Sequence, residues 1–281
     1  MDEETVRNWF SKPGDALRIA MQRMSMSAID LAVHLGSDLR FVRELLDGSA
    51  VIDGNAANRL AEVLGGTPSF WLKRQMHYEQ ALARAVSAVA QTDISKWIGR
   101  VPAPGPKLRG NLTEERGREE VRRRLLFYNV PNLEAWEGRY GGIIEATRFR
   151  TSQAFESNDD AVLLWLRQGE IEADLVQTRP WNPTALRERL PAIRKLSRIG
   201  QPARFVPKLK ALLGEAGVAF IAVKAPNGCR ASGASNLVAP DKAMLLVSFR
   251  YRTDDQFWFT VFHEIGHLLL HGGMSRSLLK F

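Results

Sequence analysis

The sequence predicts a mainly α-helical protein with a small β-sheet, an α+β fold in which a helical N-terminal bundle and a helical middle region precede a mixed C-terminal domain. Two observations predict it. Short amphipathic segments separated by glycine turns fill residues 14–90, whereas only two apolar runs have strand character, at 218–223 and 243–250. The apolar fraction of 45% and the charged fraction of 25% are those of an ordinary folded protein.

The composition excludes several classes of protein. No stretch approaches the roughly eighteen uncharged apolar residues that a membrane span needs. The acidic start, residues 1–4, leads into no apolar core, so no secretory signal is predicted. Cys229 is the only cysteine, which excludes an internal disulfide and a cysteine-based zinc site. We therefore expect a cytoplasmic protein of bacterial type that does not associate with membranes.

Two short helices joined by a tight turn are predicted near the N-terminus. Ser27 is a suitable N-cap for a helix over 28–35, which ends at Gly36, and Asp38 caps a second helix over 39–46. This pair is typical of a helix-turn-helix, whose second helix presents side chains to the major groove of double-stranded DNA. The candidate DNA contacts are Ser37, Leu39, Arg40 and Arg43. Solvated arginines without a ligand remain the alternative for Arg40 and Arg43.

The net charge of +8 is unevenly distributed along the chain. Residues 1–80 contain 9 Lys/Arg and 11 Asp/Glu, a net charge of −2, and residues 211–281 carry +2. Residues 81–210 contain 23 Lys/Arg and 15 Asp/Glu, so this middle region accounts for a net charge of +8. Two explanations stay open: arginine-rich helix faces that are simply solvated, and a surface that faces phosphates.

The predicted domains are an N-terminal domain, 1–90, and a C-terminal domain, 113–281, joined by a linker over 91–112. The segment 101–106 contains three prolines and cannot continue a helix. Within the C-terminal domain, amphipathic helices are expected at 113–127, 132–140, 158–177, 183–198 and 204–216.

The pattern His263-Glu264-Ile265-Gly266-His267 predicts a zinc site on a helix. Positions i and i+4 share one face, so His263 and His267 can both direct an imidazole at one Zn²⁺ ion. In helices of this type Glu264 is not a ligand but the general base toward water. The flanking apolar run 257–262 predicts that the helix is buried, and Gly266 is expected to permit a close backbone approach.

The third protein ligand is not identified by these residues. His271 lies two turns beyond His263, about 12 Å along a helix, so it cannot share an ion with both other histidines. Glu215 and Asp241 stay open as upstream carboxylate candidates. The alternative for the whole motif is a pair of structural histidines on a helix that binds no metal.

Several segments of the C-terminal portion, taken together, resemble the ImmA/IrrE family of zincin-like metallopeptidase domains. The matching segments are Trp165-Leu-Arg-Gln-Gly-Glu170, Gly217-Val-Ala-Phe220, Arg230-Ala-Ser-Gly-Ala234 and, above all, the long run Asp254–His271. The N-terminal portion resembles the XRE-type helix-turn-helix of HigA-like antitoxins, on the residues Leu31-Ala32, Leu35-Gly36, Val42, Leu45-Leu-Asp-Gly48, Ala57, Leu60-Ala61, Leu64-Gly65, Phe70-Trp71-Leu72 and Gln75.

These resemblances imply a bacterial or phage transcriptional regulator. A zinc-dependent endopeptidase domain of this family acts on a repressor, in stress response, in the control of mobile elements or in toxin–antitoxin pairs. By position, His263 and His267 are the implied ligands and Glu264 the implied base. The family's third ligand, a glutamate on a later helix, is implied to lie farther downstream than this sequence extends. The helix-turn-helix implies an operator as DNA partner and a homodimer.

Two other functions compete with a DNA-binding peptidase. In the first, the chain is a non-catalytic regulator or antitoxin that binds DNA, and its peptidase-like half senses a signal or binds a partner protein. In the second, the His/Glu helix is purely structural, which predicts a melting temperature that chelation leaves unchanged.

Overall fold

The computed structural model describes residues 11–105, 110–150, 158–248, 254–271 and 278–280. The chain divides into two compact units, Met1–Gly141 and Gly142–Phe281. Most of the described residues are helical, and a small mixed sheet lies in the second unit. The predicted α+β class is therefore confirmed.

Within residues 11–88 the first unit consists of short capped helices. Their bounds are α1 Pro13–Arg23, α2 Ala28–His34, α3 Leu39–Asp47, α4 Gly54–Leu64 and α5 Pro68–Ala88. The predicted caps of the second and third helices are confirmed, because the Ser27 hydroxyl accepts from the Asp30 amide and the Asp38 carboxylate accepts from the Phe41 amide. Each cap satisfies a backbone donor that the first helical turn leaves without an intrahelical partner.

Helices α1 and α3 pack closely because Gly14 lies at their crossing. A Cβ built on Gly14 would lie 2.1 Å from the Leu46 carbonyl oxygen, so no larger residue fits there. Leu17 of α1, Leu31 of α2 and Val42 of α3 are fully buried in the core of this unit. The predicted helix-turn-helix segment is thus part of a packed bundle rather than an isolated pair.

The region predicted as a linker requires a correction. Residues 91–100 form a short 3₁₀ turn, Gln91–Asp93, and helix α6, Ile94–Arg100. Ile94 and Trp97 are buried. Arg124 lies in helix α7, Glu114–Tyr128, and donates a hydrogen bond of 2.7 Å to the Val101 carbonyl oxygen. The packed segment therefore runs at least to residue 101.

The first unit also extends past the predicted boundary at residue 113. Helix α7 and the first part of helix α8, Leu133–Arg150, belong to it. Buried Tyr128, Trp136 and Tyr140 have ring centroids 5.1–5.9 Å apart, and Tyr128 meets the other two rings edge to face. This aromatic cluster joins the two helices. The division between the units consequently lies at Gly141/Gly142 instead of at 112/113.

The second unit contains the sheet and the helices that cover it. Its elements are α9 Asp159–Asp174, α10 Pro183–Leu196, α11 Pro202–Gly214, β1 Val218–Ala222, β2 Gly233–Ala239, β3 Lys242–Val247, α12 Asp254–His271 and β4 Leu278–Lys280. The strand predicted at 218–223 is confirmed as β1, and the strand predicted at 243–250 is β3, although residues 249 and 250 lie outside the described residues. Strand β2 was not predicted, because its Gly, Ala, Ser and Asn residues have weak strand propensity.

The described strands form one sheet in the order β1-β3-β2-β4. Strands β1 and β3 are parallel, with Phe220 opposite Leu245, whereas β2 runs antiparallel to β3 with Ser235 opposite Leu245. Strand β4 pairs antiparallel with the other edge of β2, and Leu278 is opposite Ser235. Strand β2 is thus an internal strand, and it carries the residues that face the candidate site.

The two faces of the sheet are covered by different helices. Leu245 and Phe220 point into the core that contains Phe205 of α11, Val261 of α12 and Leu186 of α10. Helix α9 covers the opposite face, where a Cβ on Gly169 would lie 2.5 Å from Leu246. Because successive residues of a strand alternate between faces, Ser235 and Asn236 point to different helices.

Helix α9 is fixed to the sheet region by polar contacts near its middle and at its C-terminal end. Trp165 donates to the Val223 carbonyl oxygen at 2.9 Å. The buried ammonium group of Lys242 donates to the carbonyl oxygens of Ala173 and Val176 at 3.1 and 2.7 Å, where the helix ends. A cation at this position satisfies terminal carbonyls and complements the helix dipole.

Candidate functional site

The site is built on helix α12, whose apolar face fixes its rotation. Phe257, Val261, Ile265 and Leu268 are buried at helical spacing and pack into the core beside the sheet. The expectation that the whole apolar run is buried is wrong at Phe259, which is 58% exposed. One face of the helix is therefore in the core, and another is open.

His263 and His267 lie together on this helix, as the i, i+4 spacing predicts. Their Nε2 atoms are 3.0 Å apart, and the two rings are perpendicular with centroids 4.5 Å apart. Two nitrogen ligands of a tetrahedral zinc, each at about 2.05 Å, are separated by about 3.3 Å. The two imidazoles therefore fit one ion with little movement. Without an ion, the same distance allows one imidazole to donate a hydrogen bond to the other.

Glu264 lies on the sheet side of the helix and is completely buried. Its Oε2 accepts a hydrogen bond of 2.8 Å from the Ser235 hydroxyl of strand β2, which is itself 2% exposed. A Cβ on Gly233 would lie 2.8 Å from Glu264 Oε1 and 2.6 Å from Thr260 Cγ2. The absence of a side chain at residue 233 lets the strand approach the helix closely enough for this hydrogen bond.

Ser235 is the residue of the site that sequence reasoning missed. It lies 29 residues before Glu264, and no spacing rule connects a strand serine to a helix glutamate. Only the sheet register brings the two side chains together. The neighbouring Gly233 was part of a resemblance, but the reason for a glycine there is visible only in the packing of β2 on α12.

Gly266 does not have the role expected from the sequence. No described atom lies within 4 Å of a Cβ built at this position. The expected close approach of another backbone is therefore not observed within the described part of the chain. An alanine would fit at this position without a clash.

The described residues do not supply a third ligand. Within the described ranges, no group of three or more His, Cys, Asp or Glu side chains is positioned to hold a metal ion. Glu215 instead forms an ion pair of 3.1 Å with Arg189, and Asp241 lies in the turn between β2 and β3. The side chain of His271 lies outside the described residues. Of the residues predicted to hold zinc, the structure brings His263 and His267 together.

The four candidate DNA contacts differ in how exposed their side chains are. Leu39 and Arg40 are exposed at the start of α3, but Arg40 forms a 2.8 Å ion pair with Glu44, and this carboxylate raises the pKa of the Arg40 guanidinium. Arg43 and Ser37 are half-buried, so less of each side chain is accessible to a ligand. Gly36 provides the predicted turn with a positive φ of 57°. Leu39 and Arg40 are the accessible members of the predicted set.

None of the described helices has both the length and the apolar sequence that crossing a bilayer requires. No known family model matches the chain. No curated protein is significantly similar to it. What the protein does therefore has to be inferred from its own residues and their geometry.

Proposed function

We propose that the chain is a cytoplasmic bacterial or phage transcriptional regulator, in which an XRE-type helix-turn-helix is joined to an ImmA/IrrE-like zinc-dependent endopeptidase domain. Its targets are an operator and a repressor or toxin–antitoxin partner, and it acts as a homodimer. The observation that supports this most is the pair of Nε2 atoms 3.0 Å apart on α12, with the Glu264 carboxylate on the adjacent residue.

His263 and His267 would hold the zinc ion, and Glu264 would act as the base. When bound, zinc acts as a Lewis acid that polarises a peptide carbonyl and makes water more acidic. Glu264 accepts a proton from the attacking water and returns it to the amine that leaves when the C–N bond breaks. The Ser235 hydrogen bond holds one carboxylate oxygen and restricts the side chain to one orientation.

The test separates zinc binding from proteolysis. We expect the zinc-loaded wild-type chain to cleave a disordered probe, reduced casein, and Glu264→Gln to retain zinc but lose cleavage. Glu188→Gln is the matched control, because it removes an exposed carboxylate from the same unit and should leave both properties unchanged. Cleavage by Glu264→Gln at the wild-type rate would contradict the base role.

A second function is favoured by two other observations. Glu264 is completely buried, and no third ligand joins the histidines among the described residues. These features also suit a non-catalytic regulator or antitoxin, whose peptidase-like unit senses a signal or binds a partner. It predicts operator binding with steep salt dependence and no cleavage of casein by zinc-loaded wild-type protein. Casein cleavage that Glu264→Gln abolishes would exclude this alternative.

The DNA-binding part of the proposal depends on helix α3. Leu39 and Arg40 are the accessible side chains, and Arg40 must exchange Glu44 for a phosphate or a base edge. We expect Arg40→Ala to weaken operator binding by about tenfold, since one good contact contributes about 1–3 kcal/mol. Unchanged affinity of Arg40→Ala at 0.1 M salt would count against α3 as the recognition helix.

A further inference from the structure

A strongly basic segment of the described chain lies in the second unit, separate in sequence from the helix-turn-helix segment. Helices α10 and α11 form a helical hairpin, Pro183–Gly214, on the sheet face that α12 also covers. Its residues 187–210 contain eight Lys/Arg and one acidic residue, Glu188, a net charge of +7. Most of the charge excess of the middle region, 81–210, is therefore concentrated in this hairpin.

The cations of the hairpin are directed to solvent because its apolar residues are directed to the core. Leu186, Ile193, Phe205 and Leu209 are buried against the sheet. The periodicity of a helix then places the polar residues on the opposite face. The exposed cations are Arg187, Arg194, Lys195, Arg198, Arg204, Lys208 and Lys210.

These exposed cations are not neutralised by neighbouring acids. Arg189, the half-buried eighth cation, pairs with Glu215 at 3.1 Å. None of the seven exposed cations has an ion pair with another residue of the described ranges. Arg40 of helix α3, by contrast, is paired with Glu44. The hairpin thus presents more available positive charge than the predicted recognition helix.

The exposed face of the hairpin lacks the features of several other binding surfaces. The large hydrophobic residues that are exposed elsewhere in the described chain, such as Phe70 and Phe259, have no counterpart in 183–214. Membrane-surface helices insert such residues into the bilayer, and protein–protein hot spots are rich in aromatic anchors beside arginine. Single-stranded nucleic acids require exposed aromatic rings on which bases stack. A surface of cations alone is suited to the phosphate backbone of a duplex.

The spacing of the charges agrees with a polyanion of high linear charge density. Arg187 and Arg194 are seven residues apart, so they share one face of α10 at a separation of about 10 Å along its axis. Arg204 and Lys208 share one face of α11 in the same way. Duplex DNA carries one negative charge per about 1.7 Å of helix axis, so it can contact several of these groups at once.

We propose that the α10–α11 hairpin is a second nucleic-acid surface, which binds the phosphate backbone of double-stranded DNA without reading sequence. It extends the proposed DNA-binding function but does not depend on it, since α3 and the hairpin are tested by separate variants. The hairpin supplies affinity and salt dependence, whereas sequence preference comes from α3.

The experiment measures binding to a 30-base-pair duplex of arbitrary sequence by fluorescence anisotropy between 50 and 200 mM NaCl. The hairpin variant is Arg194→Gln/Lys195→Gln/Arg198→Gln, which keeps three exposed polar side chains but removes their charge. If all three contact phosphates, the slope of log K against log salt becomes less steep by about 2.7, and the affinity at 0.1 M salt falls by roughly 10²–10³-fold. Melting temperatures should stay unchanged, because the substituted residues are exposed.

The matched control is Lys73→Gln/Arg84→Gln/Lys96→Gln. It removes the same charge from exposed positions of the first unit. The slope of log K against log salt should change by less than about 0.9, the contribution of a single phosphate contact. Equal slopes for the hairpin variant and the control would overturn the proposal. So would wild-type binding to poly-glutamate but not to the duplex, which would identify an acidic polypeptide as the partner. The proposal would also be overturned if Arg40→Ala lost duplex binding while the hairpin variant retained it, since the DNA contact would then belong to helix α3.

Discussion

Gly233 of strand β2 is closely packed against helix α12, whereas Gly266 of α12 has free space beside it in the described part of the chain. We therefore expect opposite changes in stability when each glycine is replaced by alanine. In Gly233→Ala, the new Cβ would lie 2.6 Å from Thr260 Cγ2, 2.8 Å from Glu264 Oε1 and 2.9 Å from Glu264 Cγ. Ordinary contacts begin at 3.4 Å, so these atoms must separate by 0.5–0.8 Å. Thr260 is β-branched, and Glu264 is buried and held by Ser235, so neither side chain moves freely. Overpacking of this kind costs about 1–3 kcal/mol.

The control is Gly266→Ala on helix α12. Because no described atom lies within 4 Å of the new Cβ, the substitution should stabilise the helix by about 0.5–1 kcal/mol. Urea unfolding followed by circular dichroism measures both changes. The reasoning is refuted if Gly233→Ala is as stable as the wild type, or if Gly266→Ala is destabilised as much as Gly233→Ala.

The remaining predictions concern single polar contacts. Ser235→Ala removes the donor to the buried Glu264 carboxylate and should lower the free energy of unfolding by about 1–3 kcal/mol; a loss below 0.5 kcal/mol in urea unfolding would show that the bond is not formed. Lys242→Met leaves the last carbonyls of α9 without their donor and should cost about 1–3 kcal/mol, whereas the exposed Lys224→Met should stay within about 0.5 kcal/mol. At Glu120, burial raises the pKa, but the hydrogen bond from Arg124 and the charge of Arg123 outweigh it and lower the pKa below its usual value. A lowered folded-state pKa stabilises the protein above the unfolded-state pKa of about 4.3, and this contribution is lost as pH falls through the folded-state pKa. Thermal melts between pH 2 and 7 should therefore show a weaker acid destabilisation for Glu120→Gln, and identical profiles would contradict the assignment.

The sequence predicted those features that depend on local patterns. The caps at Ser27 and Asp38, the strand β1 and the shared face of His263 and His267 all follow from short-range rules of capping, apolar runs and helical spacing. These rules hold here because the tertiary contacts agree with the local preference. The α+β class follows from the same patterns.

The features that were missed depend on contacts between distant residues. Strand β2 has weak intrinsic propensity and exists because β3 and β4 pair with both of its edges. The burial of Glu264 and its bond to Ser235 follow from the register of that strand. Segment 91–101 looked like part of a linker because three prolines follow it directly, within 102–106, yet Trp97 anchors it in the first unit.

The most direct test of the central claim is the zinc content of the purified chain. The protein is equilibrated with an equimolar amount of Zn²⁺, dialysed against metal-free buffer and measured by inductively coupled plasma mass spectrometry, beside the variant His263→Ala/His267→Ala. We predict close to one zinc per wild-type chain and none above background in the variant. Equal zinc contents in the two proteins would contradict the assignment of His263 and His267 as metal ligands.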